Sequence, residues 1–193
     1  MMRVCVVGSV NSDLTFIVER LPPPGATVLA SSLVSAPGGK GANQAIAAAR
    51  AGAQVQFVGA VGDDSVAAVL LAHLRANGVG TDAVSTVAGP SGTAVVIVDA
   101  DAENAIVVAP GANSHLTLNS DVVRRLVTES GVVLMQLEIP VPTVLDAARL
   151  ARQSGATVML NASPIPGAVA LLAEVAQLAD VLVLNEEEAA HWQ

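Results

Sequence analysis

The strongest constraint on this chain is a rhythm of short, wholly apolar runs, each followed by a segment with helical spacing. VVLMQL at 132–137 precedes a helix expected from about 142 to 153, and TVMLN at 157–161 precedes one from about 167 to 178. VLVLN at 181–185 leads into EEEAAHWQ, which has the acidic first turn of a helix start. The first half repeats the pattern, with RVCVVG at 3–8, an alanine-rich helix over about 41–51, VQFVGAVG at 55–62 and a helix over about 64–77. Strands that are apolar without alternation are covered on both faces. The expected fold is therefore α/β, a doubly wound and mostly parallel sheet with helices on both faces.

Two stretches break the rhythm. Residues 13–34 hold two β-like runs around a proline-rich turn, and 91–113 read as a hairpin turning at DADAEN. The expectation is one domain over 1–193, with these segments inserted as a small β lid that closes over a site or pairs with a partner's lid. Composition agrees with a packed core, since 52% of residues are hydrophobic and 13% charged. Aromatics are only 2%, so Val, Leu, Ile and Ala must fill that core. A net charge of −8 argues against nucleic acid as a partner. Mean hydropathy is +0.59, yet no apolar run approaches the ~20 residues that span a bilayer. The apolar run at the N-terminus is too short for a signal peptide, and the single Cys5 reads as a buried inert thiol. A cytoplasmic location is expected. The last strand and short helix stop where a doubly wound sheet normally continues, so the chain reads as the front portion of something longer.

The chemistry gathers around SAPGGKGANQAIAAARAGA at 35–53, which holds the only lysine, Lys40. A phosphate-binding P-loop is excluded by spacing. Val34 stands where its first glycine belongs, and Gly41 stands where a Ser or Thr must follow the lysine. A dinucleotide fingerprint is excluded as well, because only one glycine, Gly8, follows the first strand directly. Beyond that glycine the strand exit carries Asn11, Ser12 and Asp13. An amide and a carboxylate two residues apart suit sugar hydroxyls, although the pair alone also fits an Asx turn. Gly38, Gly39 and Gly41 allow close backbone approach to a ligand, and Asn43 lies in the first helical turn. Taken alone, GGKGAN is equally a flexible helix entry, and Glu138 at the end of MQLEIP is equally an exposed loop glutamate.

Taken in order, GSVNSD, PGGKGANQAIAAARAGA, GDD at 62–64, APGAN at 109–113, MQLEIP and LNEEEA resemble the PfkB carbohydrate kinase family over essentially the whole chain. The resemblance implies ATP-dependent phosphorylation of D-ribose at its 5-hydroxyl. Asn11, Ser12, Asp13, Gly39, Lys40, Gly41, Ala42, Asn43 and Glu138 match the sugar-binding positions. Asn185 matches a position of the ATP site, and Glu188 completes an Asn-x-x-Glu motif tied to Mg²⁺; by itself the acidic run reads as a solvated helix start. The resemblance further implies a homodimer formed through the lid, and a monovalent cation, K⁺. The family's Gly-Ala-Gly-Asp segment carries the catalytic base, and it does not occur in these 193 residues. The base and the K⁺ site are accordingly expected beyond Gln193, and the chain by itself is expected to be inactive. Two alternatives stay open: another kinase of the family, acting on fructose or a nucleoside, and a non-catalytic sugar-binding module.

Overall fold

The computed structural model describes residues 2–165 and 169–191. Its centre is a six-stranded sheet in which every neighbouring pair is parallel. The strands are β1 (Arg3–Val7), β4 (Gln54–Gly62), β5 (Val79–Val87), β8 (Val132–Gln136), β9 (Thr157–Asn161) and β10 (Val181–Val183), in the spatial order β10-β9-β8-β1-β4-β5. The chain winds outward from β1 through β4 to β5, then returns to the other side of β1 through β8, β9 and β10. The reversal lies between β1 and β8, and at such a reversal open α/β sheets leave a crevice at the carboxyl ends of their strands.

Alternate residues of β1 feed two cores. Val4 and Val6 pack in one cluster with Ala42, Ala45 and Ile46 of α1 (Lys40–Arg50) and with Leu70 and Leu74 of α2 (Ser65–Ala76). Cys5 and Val7 pack on the opposite face with α3 (Asp121–Thr128) and α4 (Val141–Ser154). The expected doubly wound sheet is therefore present, with helices on both faces. Burial pushes the Cys5 thiol up to about 12, which keeps it protonated and unreactive.

A second sheet joins β2 (Asn11–Ile17), β3 (Ser32–Gly38), β6 (Gly92–Val98) and β7 (Asn104–Ala109) in the order β3-β2-β6-β7. Its outer strands are antiparallel to their neighbours, and its central pair, β2 and β6, is parallel. These strands extend beyond 13–34 at both ends, and β7 ends at Ala109, where Pro110 leads into a 3₁₀ turn over Gly111–His115. Leu33, Val34, Ile106 and Val107 of this sheet are exposed.

Two elements go unread in the sequence. β5 is the edge strand, and its Gly80, Asp82, Ser85 and Thr86 give it no apolar run. α3 is short and buries only Val123 and Val127. Residues 166–168, where the sequence suggests a helix start, lie outside the described residues, as do residues 192–193. From there α5 (Val169–Leu178) and α6 (Glu186–His191) complete the helices.

Candidate functional site

The crevice between β1 and β8 is built by a loop, a helix start and a strand end that tie one another down. β1 runs out through Gly8 and Ser9, whose side chain is fully buried. Ser9 Oγ donates to Glu138 Oε2 and accepts from Gly41 N–H at 3.3 Å, while Ser9 O accepts from Ala42 N–H at 2.9 Å. Lys40 N–H donates to the same Glu138 Oε2 at 3.0 Å. The first turn of α1 thus has no cap of its own. Gly39, at its N-cap, makes no side-chain bond, and the orphan N–H groups are met by residues from the ends of β1 and β8.

The N–H groups of Lys40, Gly41 and Ala42 are occupied inside the protein, so none of these three is left to donate to a ligand. Glu138 anchors α1 through Oε2 and has its second oxygen left over. The glycines have a packing reason as well. A Cβ on Gly41 would stand 2.6 Å from Ser9 N, and Gly39 adopts φ +93°, a left-handed conformation with Asn11 N only 2.9 Å from the place of its missing Cβ.

Asn11, Ser12 and Asp13 are not a strand-exit turn; they open β2 and pair with both β3 and β6. Alternation along the strand puts Asn11 and Asp13 on one face and turns Ser12 to the other. Asn11 sits between Gly38 and Gly92 in register, with its side chain buried. The Asp13 carboxylate lies over Gly38, where a Cβ would come 1.9 Å from Oδ2. Its other oxygen, Oδ1, is buried and has no hydrogen-bond partner. Burial first, and then the charge of Glu138, raise the Asp13 carboxyl above its usual range. A half-buried carboxylate with an orphan oxygen, held near a second carboxylate, is costly to keep without a donor to satisfy it.

Asn43 is exposed in the first turn of α1, and Ala42 and Gly41 are buried beneath it. Burial pushes the Glu188 carboxyl up, but hydrogen bonds from the Ser163 hydroxyl and Asn185 N–H, and then the Lys40 charge, outweigh it and hold the carboxyl below its usual range. Asn185 and Glu188 cap α6 reciprocally. Glu188 N–H donates to Asn185 Oδ1 at 2.7 Å, and Asn185 N–H donates to Glu188 Oε2 at 2.9 Å. That is a capping box, and its N-cap-x-x-Glu spacing stands in the sequence. Among the described residues no cluster of three or more His, Cys, Asp or Glu could cage a metal ion.

Three contributors were not singled out from the sequence. Ser9 and Asn113 look like ordinary loop residues, and Gly92 like a strand start. Asn113 is buried and bonds both the Val10 backbone and Asn11. Ser9 and Asn113 stand inside GSVNSD and APGAN, beside candidate residues, and that is the signal the sequence offers for them; Gly92 stands in neither motif.

A cavity of about 350 Å³ adjoins the crevice, lined by Glu138, Ile139 and Pro140 on the core side and by Val108 and Pro110 at the second sheet. Another, of about 200 Å³, lies at the amino ends of the strands around Arg3, Gln54 and Gln56. Sheets of this kind bind ligands at the opposite end, and the orphan carboxylate oxygen is there too.

Comparison with known proteins points the same way as this geometry. The model of the pfkB family carbohydrate kinases matches residues 1–193. Ribokinase of Bacillus subtilis is 41% identical over 194 residues, an alignment covering 98% of this chain and 64% of that protein. Ribokinase of Haemophilus influenzae is 40% identical over 188 residues, covering 95% of this chain and 60% of that protein. The structure of Arabidopsis thaliana ribokinase complexed with ribose and ATP superposes with a TM-score of 0.83 at 34% identity, covering 98% of this chain and 61% of that one. The chain therefore spans somewhat under two thirds of the length of these relatives. No helix among the described residues is long and apolar enough to cross a membrane.

Proposed function

The chain belongs to the pfkB family of carbohydrate kinases, and from that membership we propose that the protein is a cytoplasmic ribokinase, transferring a phosphoryl group from ATP to the 5-hydroxyl of D-ribose. The observation that carries the sugar reading is the buried, unpartnered Oδ1 of Asp13. A sugar hydroxyl is a donor of the right size to satisfy it, and the net charge of −8 disfavours an anionic ligand at a carboxylate pair.

In this reading Asn11, Asp13 and Glu138 hold the sugar, with Asn43 at the rim and the glycines of α1's entry giving the close approach. Ser12 faces away and contributes through the strand only. Catalysis of this kind is mostly positioning and charge neutralisation, so a rigid sugar grip is the protein's main contribution from these residues. Bound Mg²⁺ would neutralise charge on the phosphates. It commonly takes one or two carboxylates plus waters and phosphate oxygens, and Glu188, with one oxygen outside the capping box, fits such a water-mediated contact. Asn185 is assigned to the ATP side with it. The general base and K⁺ are assigned to no residue among these 193.

Acceptor identity is tested by calorimetric titration with ribose, 2-deoxyribose, fructose and adenosine. Ribose is expected to bind at least about tenfold tighter than the others, as one lost hydrogen bond predicts. Tightest binding of adenosine or fructose would instead indicate a different kinase of the family. Leu33 and Val107 are exposed on the face of the second sheet turned away from Asp13, and they support a homodimer formed through that face, since exposed apolar sheet surface needs covering. Sedimentation equilibrium should show a dimer, weakened by Val107→Lys; a monomer at every concentration would remove that assignment.

A further inference from the structure

Asn113 is held at three points by a single buried amide. Its Oδ1 accepts from Val10 N–H at 3.1 Å, and its Nδ2 donates to Val10 O at 3.2 Å and to Asn11 Oδ1 at 2.7 Å. A backbone N–H can only donate, so the Asn113 atom facing Val10 N is oxygen and the atom facing Asn11 is the NH₂. That orders the second amide in turn: Asn11 meets Asn113 with its oxygen and turns its own NH₂ away. Asn11 Nδ2 makes no hydrogen bond among the described residues. Gly92 leaves the room for this, because a Cβ there would come 2.2 Å from both Asn11 Oδ1 and Asn113 Nδ2.

We infer that Asn113 is a positioning residue that sets Asn11 as a hydrogen-bond donor toward the sugar, giving the two strand residues opposite polarity. Asn11 donates to a sugar oxygen, and Asp13 accepts from a sugar hydroxyl. A vicinal diol meets both demands at once, one oxygen accepting while the neighbouring hydroxyl donates. The backbone of Val10 thus selects the polarity of the ligand through two amides in series. The inference rests on the proposed sugar reading of Asn11 and Asp13.

Asn113→Asp keeps an oxygen facing Val10 N–H but offers no donor to Asn11. The Asn11 amide then turns its NH₂ to the new carboxylate and presents oxygen to the ligand, leaving two acceptors side by side. The ribose dissociation constant, measured by calorimetry, is expected to rise about ten- to hundredfold. A second readout uses the unmodified protein. Ribose should slow hydrogen exchange of the Asn11 side-chain NH₂, followed by nuclear magnetic resonance, and leave that of Asn113 unchanged. If the unmodified protein does not bind ribose, the sugar reading falls and takes the inference with it. If it binds ribose with no change at the Asn11 amide, the inference alone is overturned; the same holds if folded Asn113→Asp binds ribose as tightly as the unmodified protein. Should Asn113→Asp fail to fold, the exchange measurement decides.

Discussion

Replacing Asp13 with asparagine is expected to weaken ribose binding by about ten- to hundredfold while making the unliganded protein more stable at neutral pH. The first effect comes from losing a charge-assisted hydrogen bond to a sugar hydroxyl, worth about 1.5–3 kcal/mol. The second comes from the strains on the carboxylate without a ligand: burial, the neighbouring charge of Glu138, and an oxygen with no partner. Its carboxyl is raised above the usual range, so only the protonated form favours folding. The penalty is absent below the unfolded-state pKa, grows as pH rises toward the folded-state pKa, and is constant above it. The stability gap between the variant and the unmodified protein should therefore be widest at neutral pH and close as the pH falls through that window. Thermal melts without sugar, run across acid to neutral pH, check the stability half. A variant that is less stable at neutral pH would mean that the carboxylate is satisfied in the free protein and is not waiting for a ligand.

The second large effect is expected at Gly41. A Cβ there meets Ser9 N at 2.6 Å, with Gly8 C and Ser9 O both at 2.8 Å. All three are backbone atoms of the connection from β1 to β2, so none can swing aside. Gly41→Ala must push α1 off that connection, straining the bonds that Gly41 and Ala42 make to Ser9 and displacing Glu138 from Lys40 N–H. Overpacking of this kind costs about 3 kcal/mol. For a chain of this size that lowers the melting temperature by about 6–12 °C. Gly52→Ala is the comparison: it is also a glycine, with positive φ of +91°, but nothing lies within 4 Å of its missing Cβ. Only backbone strain remains there, about 1–2 kcal/mol. Denaturant unfolding of both variants separates the two costs. Equal destabilisation would show that the α1 entry is not packed as tightly as described.

The sheet was legible because parallel strands buried on both faces leave continuous apolar runs, as in VVLMQL and RVCVVG. β5 escaped for the same physical reason in reverse, since an edge strand need not be apolar throughout. At the site, the sequence offered the right chemical types in Asn11, Asp13 and Glu138 but not their setting. NSD reads as a turn because its first residues are polar, and pairing with strands on both sides overrides that local preference. Glu138 reads as a loop glutamate, and its bond to Lys40 N–H, 98 residues away in sequence, is visible only in three dimensions. The same applies to Asn113 and Asn11, 102 residues apart. Local spacing carries caps and turns. It carries no information about a helix capped from two other strands.

The central claim is that the orphan oxygen of Asp13 marks the sugar site. A crystal structure of the protein soaked with ribose tests it most directly. The prediction is one ribose in the crevice between β1 and β8, with a hydroxyl within hydrogen-bond distance of Asp13 Oδ1 and a sugar oxygen facing the side chain of Asn11. Ribose bound instead in the cavity around Arg3, Gln54 and Gln56, or in the crevice with Asp13 Oδ1 still unpartnered, would contradict it.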